Sequence, residues 1–192
     1  MEQRVKTKNI SFFPAPIWGM RPKEKVSLVD ICILERSDIY KDRTFELRSI
    51  EDGDAARNFK EKNMDSITPS GVFPYKSDDG MKYHSEFICI DIDHLESEDK
   101  LQEVKQKLID NQRFYTLYLK RSPSGDGLKW FIPINLSKCG HRIWFIAIKN
   151  WLYKTYALEA DEKCINVSRS CFLNYDPESY ACPEITNCIS NL

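Results

Sequence analysis

The chain has 192 residues, 42% hydrophobic and 30% charged, the balance of an ordinary folded domain rather than a disordered or fibrous chain. Lys plus Arg (28) and Asp plus Glu (29) leave a formal charge of −1. That excludes a binder whose whole body is basic, so any phosphate-binding surface must be local or neutralised by metal ions. No apolar run approaches the roughly 20 residues of a membrane span, and the start MEQRVKTKNISFFPAPIWG lacks the apolar stretch of a secretory signal. The expectation is a cytoplasmic chain with no membrane partner.

Residues 1–25 carry Pro14, Pro16, Gly19 and Pro22 and read as an irregular arm ahead of a single domain over 26–182, with 183–192 as a tail. Ser27 is placed to cap a helix over Leu28–Arg36, followed by helical segments over Asp38–Ser49 and Asp54–Lys62. Pro69 and Gly71 make 67–73 a loop leading into an extended piece. Phe87–Asp93 is the best strand. Glu98–Asn111 is an amphipathic helix with Leu101, Val104, Leu108 and Ile109 on one stripe. Phe114–Leu119 and Gly127–Ile134 read as a hairpin closed by the turn Arg121–Asp126. A long helix runs from Ser137 or Lys138 to Tyr156, with Trp144, Ala147, Ile148, Trp151 and Leu152 toward the core, and Ser170–Tyr175 is a last short strand. The sum is an α+β fold, a sheet with helices mainly on one face.

Seven scattered cysteines without a C-x-x-C pair read as reduced, mostly buried thiols. The alternative is a zinc site from Cys164, Cys171, Cys182 and Cys188, although their spacings do not match the common types.

Strand parity locates the candidate chemistry. Successive strand residues face opposite sides, so Ile88, Ile90 and Ile92 share one face, and Cys89, Asp91 and Asp93 the other. The isoleucine face belongs under helices. The two carboxylates then stand about 6.5–7 Å apart at their α-carbons on an open face. They repel unless a cation lies between them or one is protonated; Mg²⁺ or Mn²⁺ suits such oxygen ligands. The alternative is a strand that ends early with both acids solvated. In Ser122-Pro123-Ser124-Gly125-Asp126-Gly127-Leu128-Lys129, two serines and two glycines at a hairpin tip offer backbone N–H groups that can cradle an anion. Leu128, Trp130, Ile132 and Ile134 alternate inward, which sends Lys129 to the face of Asp91 and Asp93. Asp161, and Arg169 just before the last strand, complete the set, although each can equally be an ordinary surface residue. His94, beside Asp93, is either a ligand or a strand-end surface residue, and His84 and His141 read as surface residues. Trp18, Tyr75, Tyr83 and Phe131 are candidates for stacking single-stranded bases.

Together these pieces resemble the archaeo-eukaryotic primase superfamily. Within it they most resemble the VirE N-terminal-domain or BT4734-like proteins of bacterial mobile elements. The matching elements are Ile90-Asp91-Ile92-Asp93, the Ser122–Lys129 turn, Asp161, Val167-Ser168-Arg169 and Asn174-Tyr175-Asp176-Pro177. The lead-in Tyr40-Lys41, Leu47-Arg48 and Ile67–Phe73 is also similar. The resemblance covers roughly residues 25–180. Lys129 stands where many primase-polymerases carry histidine, so the position stays cationic but loses a near-neutral titrating group. The resemblance implies an RRM-like primase-polymerase core with a mixed or antiparallel sheet, and nucleotidyl transfer from nucleoside triphosphates on a single-stranded DNA template. It also implies that Asp91, Asp93 and Asp161 hold two Mg²⁺ or Mn²⁺ ions that assist attack by a 3′-hydroxyl and departure of pyrophosphate. Ser122, Ser124, Gly125, Gly127, Lys129 and Arg169 would bind the nucleotide, and a helicase or other replication protein is an implied partner. Three rival readings stand beside it. One is a non-catalytic nucleotide or single-strand-binding module on the same fold. Another is a metal-dependent nuclease, in which Lys129 and Arg169 would lie away from the acids. The third is an interaction protein without an active site.

Overall fold

The computed structural model describes residues 8–190. In chain order the elements are β1 (Ile10–Phe13), β2 (Glu24–Val26), α1 (Leu28–Arg36), α2 (Lys41–Arg48), α3 (Gly53–Asn63), β3 (Ser66–Thr68), β4 (Gly71–Val72), β5 (Tyr83–His84) and β6 (Phe87–Ile92). They continue with α4 (Glu98–Asp110), β7 (Tyr118–Arg121), β8 (Leu128–Pro133), α5 (His141–Tyr156), β9 (Cys171–Phe172), β10 (Tyr180–Ala181) and α6 (Pro183–Ser190). This is an α+β fold, and every strand pairing in it is antiparallel.

Two four-stranded sheets, in the orders β2-β1-β3-β9 and β10-β7-β8-β6, carry the architecture. In the second, β6 pairs with β8 so that Ile90 lies opposite Trp130, and Asp91 opposite Lys129. One face of this sheet presents Ile88, Ile90, Ile92, Leu119, Leu128, Trp130 and Ile132. Leu101, Val104 and Leu108 of α4 and Phe145, Ile148 and Leu152 of α5 cover it. This is the helix-covered face that alternation assigned to the isoleucines.

The opposite face is not open. Phe87, Cys89, Tyr118 and Phe131 join one apolar cluster with Ile10, Phe12, Val26, Ile67 and Cys171 of the first sheet and with Leu28, Ile31 and Cys32 of α1. Phe131 is fully buried there and cannot stack a base, whereas Trp18, Tyr75 and Tyr83 are exposed. Only the end of the sheet that carries Asp91 and Lys129 reaches the cleft described below.

Several boundaries differ from the sequence reading. Within the supposed arm, Ile-Ser-Phe-Phe forms β1 at the centre of the first sheet. Ile10 and Phe13 are fully buried, and Ser11 Oγ bonds both the carbonyl and the amide of Phe73. The prolines shape only the connection from β1 to β2, and residues 1–7 of the expected arm lie outside the described residues. Most of the supposed tail is α6, which buries Ile185 against the core, so the fold runs past 26–182 at both ends. The strand expected from Phe114 begins at Tyr118 instead. Asn111 Oδ1 holds the amides of Arg113 and Phe114, and Thr116 Oγ1 bonds the Leu108 carbonyl, so these residues close the end of α4.

Helix α5 starts at His141 because Asn135 captures Ser137 in a local turn. It turns Phe145, Ile148 and Leu152 inward and leaves Ala147 exposed. The strand expected over Ser170–Tyr175 pairs only at Cys171–Phe172, because the next amides bond elsewhere: Leu173 to the Asp65 carbonyl, Asn174 to Glu35 and Tyr175 to Thr44. Ser27 does cap α1, in a reciprocal box with Asp30. The seven cysteines are free thiols, and the four proposed for zinc form no ligand group among the described residues. No helix among the described residues is long and apolar enough to cross a membrane.

Between the two sheets lies an ion pair that no sequence pattern announced. Lys120 of β7 and Glu35 of α1 are fully buried and directly bonded. Lys120 Nζ also bonds the Phe172 carbonyl at 2.8 Å and Asn174 Oδ1 at 2.9 Å, and Glu35 accepts from Tyr118 Oη at 3.0 Å. Breaking such a pair from one side leaves an uncompensated buried charge, at about 3–5 kcal/mol. Lys120→Met should lower the unfolding free energy in urea by that amount. Adding Glu35→Gln, which removes the stranded charge, should restore part of it. A loss below about 1 kcal/mol for Lys120→Met would contradict the assignment.

Candidate functional site

The site is built where β6 ends. Asp91 is its penultimate residue, and the ladder sets Lys129 of β8 directly opposite. Cross-strand partners project to the same face, and Lys129 Nζ contacts Asp91 Oδ2 directly and lies 3.8 Å from Asp93 Oδ1. The side chain of Asp91 is 8% exposed, that of Lys129 13% and that of Asp93 39%, so Asp91 and Lys129 form the floor and Asp93 the rim. From the other side comes the segment after α5. Asp161 donates its backbone N–H to the Asp91 carbonyl at 2.9 Å and caps the short 3-10 turn Glu162–Ile165 by accepting from the Lys163 amide at 3.0 Å. Its second carboxylate oxygen takes Arg169 Nη2 at 2.9 Å. Ser70, Asn166, Arg169 and Cys171 wall a small cleft, partly open to solvent, above Asp91 and Lys129.

The electrostatics follow from burial. Desolvation raises the Asp91 carboxyl to about 6, against the pull of Lys129, and Asp93 adds to the rise. Burial alone would lower Lys129, but Asp91 and Asp93 outweigh it and hold the ammonium above its ordinary range. Asp91 Oδ1 is buried with no hydrogen-bond partner, a costly state for a carboxylate oxygen. Ligand atoms of Asp91, Asp161 and Cys164 lie within 4.8 Å of one another. Burial and the nearby Asp91 push the Cys164 thiol up to about 12 in the metal-free site, and for a hard ion such as Mg²⁺ the two carboxylates are the better ligands. A divalent cation fits this set, because it would satisfy the orphaned Asp91 Oδ1. Asp93, expected as an equal partner, is not in the group.

The six nucleotide-binding candidates divide in two. Ser122 Oγ receives the Gly127 amide at 3.1 Å, the Ser122 carbonyl receives the Gly125 amide at 3.0 Å, and the Ser122 amide bonds the Gly127 carbonyl at 2.7 Å. The Gly125 and Gly127 amides are thus used within the turn and do not cradle an anion. Gly125 has φ of +91°, where a side chain is strained. A Cβ on Gly127 would lie 2.5 Å from the Ile92 carbonyl, so this glycine lets the turn close onto the end of β6. Ser124, Lys129 and Arg169 keep side chains at the surface or the cleft.

The sequence reading missed two cations that grip this turn. Arg48 of α2 donates from Nε to the Pro123 carbonyl at 3.2 Å and from Nη2 to the Ser122 carbonyl at 3.3 Å. Lys60 of α3 donates to Ser124 Oγ at 3.1 Å. Both belong to helices whose sequence shows only an ordinary charged surface. His94 sits outside the cluster, strongly exposed and 3.2 Å from Asp126.

The BT4734-like N-terminal domain family matches residues 58–180, more than half of the chain, and the chain belongs to that family. The matched stretch contains Asp91, Lys129, Asp161 and Arg169, the charged residues that converge here. No curated protein and no solved structure matches the chain.

His84 and His141, expected at the surface, are half-buried and buried. They form a relay beside the site, with Nε2 of His84 3.0 Å from Nδ1 of His141. His84 Nδ1 accepts the Glu86 amide, and His141 Nε2 lies 3.2 Å from the Cys164 carbonyl. The Glu86 donor and the Cys164 acceptor fix one direction, in which each ring gives one proton and takes one, so both rings are neutral. Burial and the neighbouring His141 hold His84 down at about 4, and burial lowers His141. A histidine depressed by folding contributes stability above its unfolded pKa near 6.5 and loses it as pH falls toward the folded value. Between pH 7 and pH 4.5 the wild type should therefore lose on the order of 2 kcal/mol more than His84→Gln, measured by urea unfolding at both pH values. Parallel losses in the two proteins would refute the relay.

Proposed function

We propose that this chain is a primase-polymerase-like nucleotidyltransferase that joins nucleotides from nucleoside triphosphates along a single-stranded DNA template. One observation carries the reading: two carboxylates, Asp91 and Asp161, approach within ligand distance at a strand end, each paired with a basic residue able to move to phosphate. The orphaned Asp91 Oδ1 calls for a cation, and the flanking Lys129 and Arg169 call for an anion. A metal–triphosphate complex supplies both. The nuclease reading needs no triphosphate site and expected these basic groups elsewhere, so it fits less well.

Asp91 would hold Mg²⁺ or Mn²⁺ through its unpartnered Oδ1, and Asp161 through a carboxylate oxygen that Arg169 or the Lys163 amide now shares, with Asp93 reaching in from the rim. The bound ion supplies Lewis acidity toward phosphoryl oxygens and a 3′-hydroxyl. Lys129 is the counter-ion of Asp91 in the metal-free site. With a metal ion held by Asp91 and Asp161, the Lys129 ammonium and the Arg169 guanidinium would be released from those carboxylates to hold the triphosphate. Catalysis then comes from positioning and charge stabilisation by groups already aimed into a half-buried cleft. A non-catalytic binding module is the second reading, favoured by the same two ion pairs, which neutralise the acids without any metal.

The test is strand synthesis on a single-stranded template with labelled nucleoside triphosphates and Mn²⁺ or Mg²⁺. Synthesis should stop with a chelator and in Asp91→Asn or Asp161→Asn. Lys129→Ala should chiefly raise KM for nucleotide, by about tenfold or more, given the strength of charge-assisted phosphate contacts. Binding of triphosphate and template with no product under any metal would leave the binding-module reading in its place.

A further inference from the structure

Five hydrogen bonds, all running in one sense, join the start of β6 to its acidic end by a route outside the strand. The Glu86 amide donates to His84 Nδ1 at 2.9 Å, His84 Nε2 to His141 Nδ1 at 3.0 Å, and His141 Nε2 to the Cys164 carbonyl at 3.2 Å. The Cys164 amide donates to the Asp161 carbonyl at 3.0 Å, and the Asp161 amide to the Asp91 carbonyl at 2.9 Å. The origin of the run is itself fixed, because the Glu86 carbonyl takes the Ile134 amide at 2.8 Å just beyond β8.

The element held by this run is the short turn Glu162–Ile165, with Asp161 as its cap. One end of the turn is tied to Asp91. The other is tied through the Cys164 carbonyl to His141, the first residue of α5. Asp161 lies on an irregular segment after α5, so no helix or strand of its own places it. A further tie from α5, Lys149 to Glu162, is largely exposed, and exposed ion pairs hold little. The imidazole route is shielded instead: His141 is 6% exposed and His84 is half-buried. A neutral imidazole offers one donor and one acceptor, which is what each position in the run requires. An apolar ring would fill the same space and leave the Cys164 carbonyl without this donor.

We propose that His84 and His141 are positioning residues for the acid pair: they fix the turn that carries Asp161 against the end of β6, and so set the affinity of Asp91 and Asp161 for a divalent cation. This rests on the metal-binding part of the nucleotidyl-transfer reading. Neither histidine touches the cation. Their effect comes from geometry, because the affinity of a metal site depends on how firmly the groups behind its ligands hold them in place.

The probe is Mn²⁺ alone, titrated into the full chain at neutral pH and followed by electron paramagnetic resonance of the free ion, together with amide hydrogen exchange of the metal-free protein. His141→Phe keeps a flat ring and removes both of its hydrogen bonds. It should bind Mn²⁺ about tenfold more weakly and exchange the Asp161 and Cys164 amides faster. His141→Gln, whose amide keeps one donor and one acceptor, should recover most of the affinity. His84→Phe breaks the run one bond earlier and should lose severalfold. Ile185→Ala truncates a buried side chain of α6, away from the turn. It should lower stability and bind Mn²⁺ as the wild type does, which separates positioning from a general loss of stability. Equal Mn²⁺ affinity in the wild type, His141→Phe and His84→Phe would overturn the proposal and leave the metal reading standing. So would a loss in Ile185→Ala as large as that in His141→Phe, or an affinity in His141→Gln no better than in His141→Phe. A wild type that binds no Mn²⁺ would overturn the proposal and the metal reading together.

Discussion

The carboxylate of Asp91 is the constraint on which the site depends. It stands at the end of a strand whose other face is packed isoleucine, and burial leaves it little water. A carboxylate so placed must be neutralised by a proton, an ammonium or a metal. In the metal-free protein Lys129 supplies the charge at one oxygen and leaves the other without a partner. Each neighbouring feature bears on that balance. Gly127 allows the turn to close beside Asp93, the Asp161 amide fastens the second acid to the Asp91 carbonyl, and Arg169 neutralises that acid in turn.

The same economy of charge runs through the interior. Lys120 lies beside Lys129 across the sheet, yet it faces inward to Glu35 and is sealed between the two sheets. Two lysines paired directly across adjacent strands thus serve different ends. One is fixed among acceptors that leave it no freedom, and the other rests on carboxylates at the mouth of a cleft. The difference is solvent access: the side chain of Lys129 is 13% exposed and that of Lys120 is 0%.

Alternation made much of this legible. Period-two patterning in Phe87–Asp93 and Gly127–Ile134 was enough to put the isoleucines under helices and Asp91 with Lys129 on the other side, because one-residue parity leaves no freedom once one face is apolar. Patterning could not reveal what covered the second face. β1 is four residues long, too short to register against a background of prolines, and its burial depends on pairing with β2 and with β3 far along the chain at Ser66–Thr68. Glu35, Lys120, Arg48 and Lys60 were invisible for a related reason. Each looks like surface charge in its own segment, and each gains meaning only from a partner brought close by the fold. The glycine turn was misread in its chemistry though not in its location, since its amides close on Ser122 rather than on a ligand.

The central claim is that Lys129 is a stand-in for a metal at Asp91. Removing the ammonium while keeping the carboxylates should then make the site bind a cation better, not worse. The direct measurement is Mn²⁺ binding, followed by electron paramagnetic resonance of the free ion, in the wild type, Lys129→Met and Asp161→Asn without nucleotide. The account predicts tighter binding in Lys129→Met, by about tenfold or more for the loss of one close competing charge, and the loss of that binding when Asp161→Asn is added. Equal or weaker Mn²⁺ binding in Lys129→Met would contradict it.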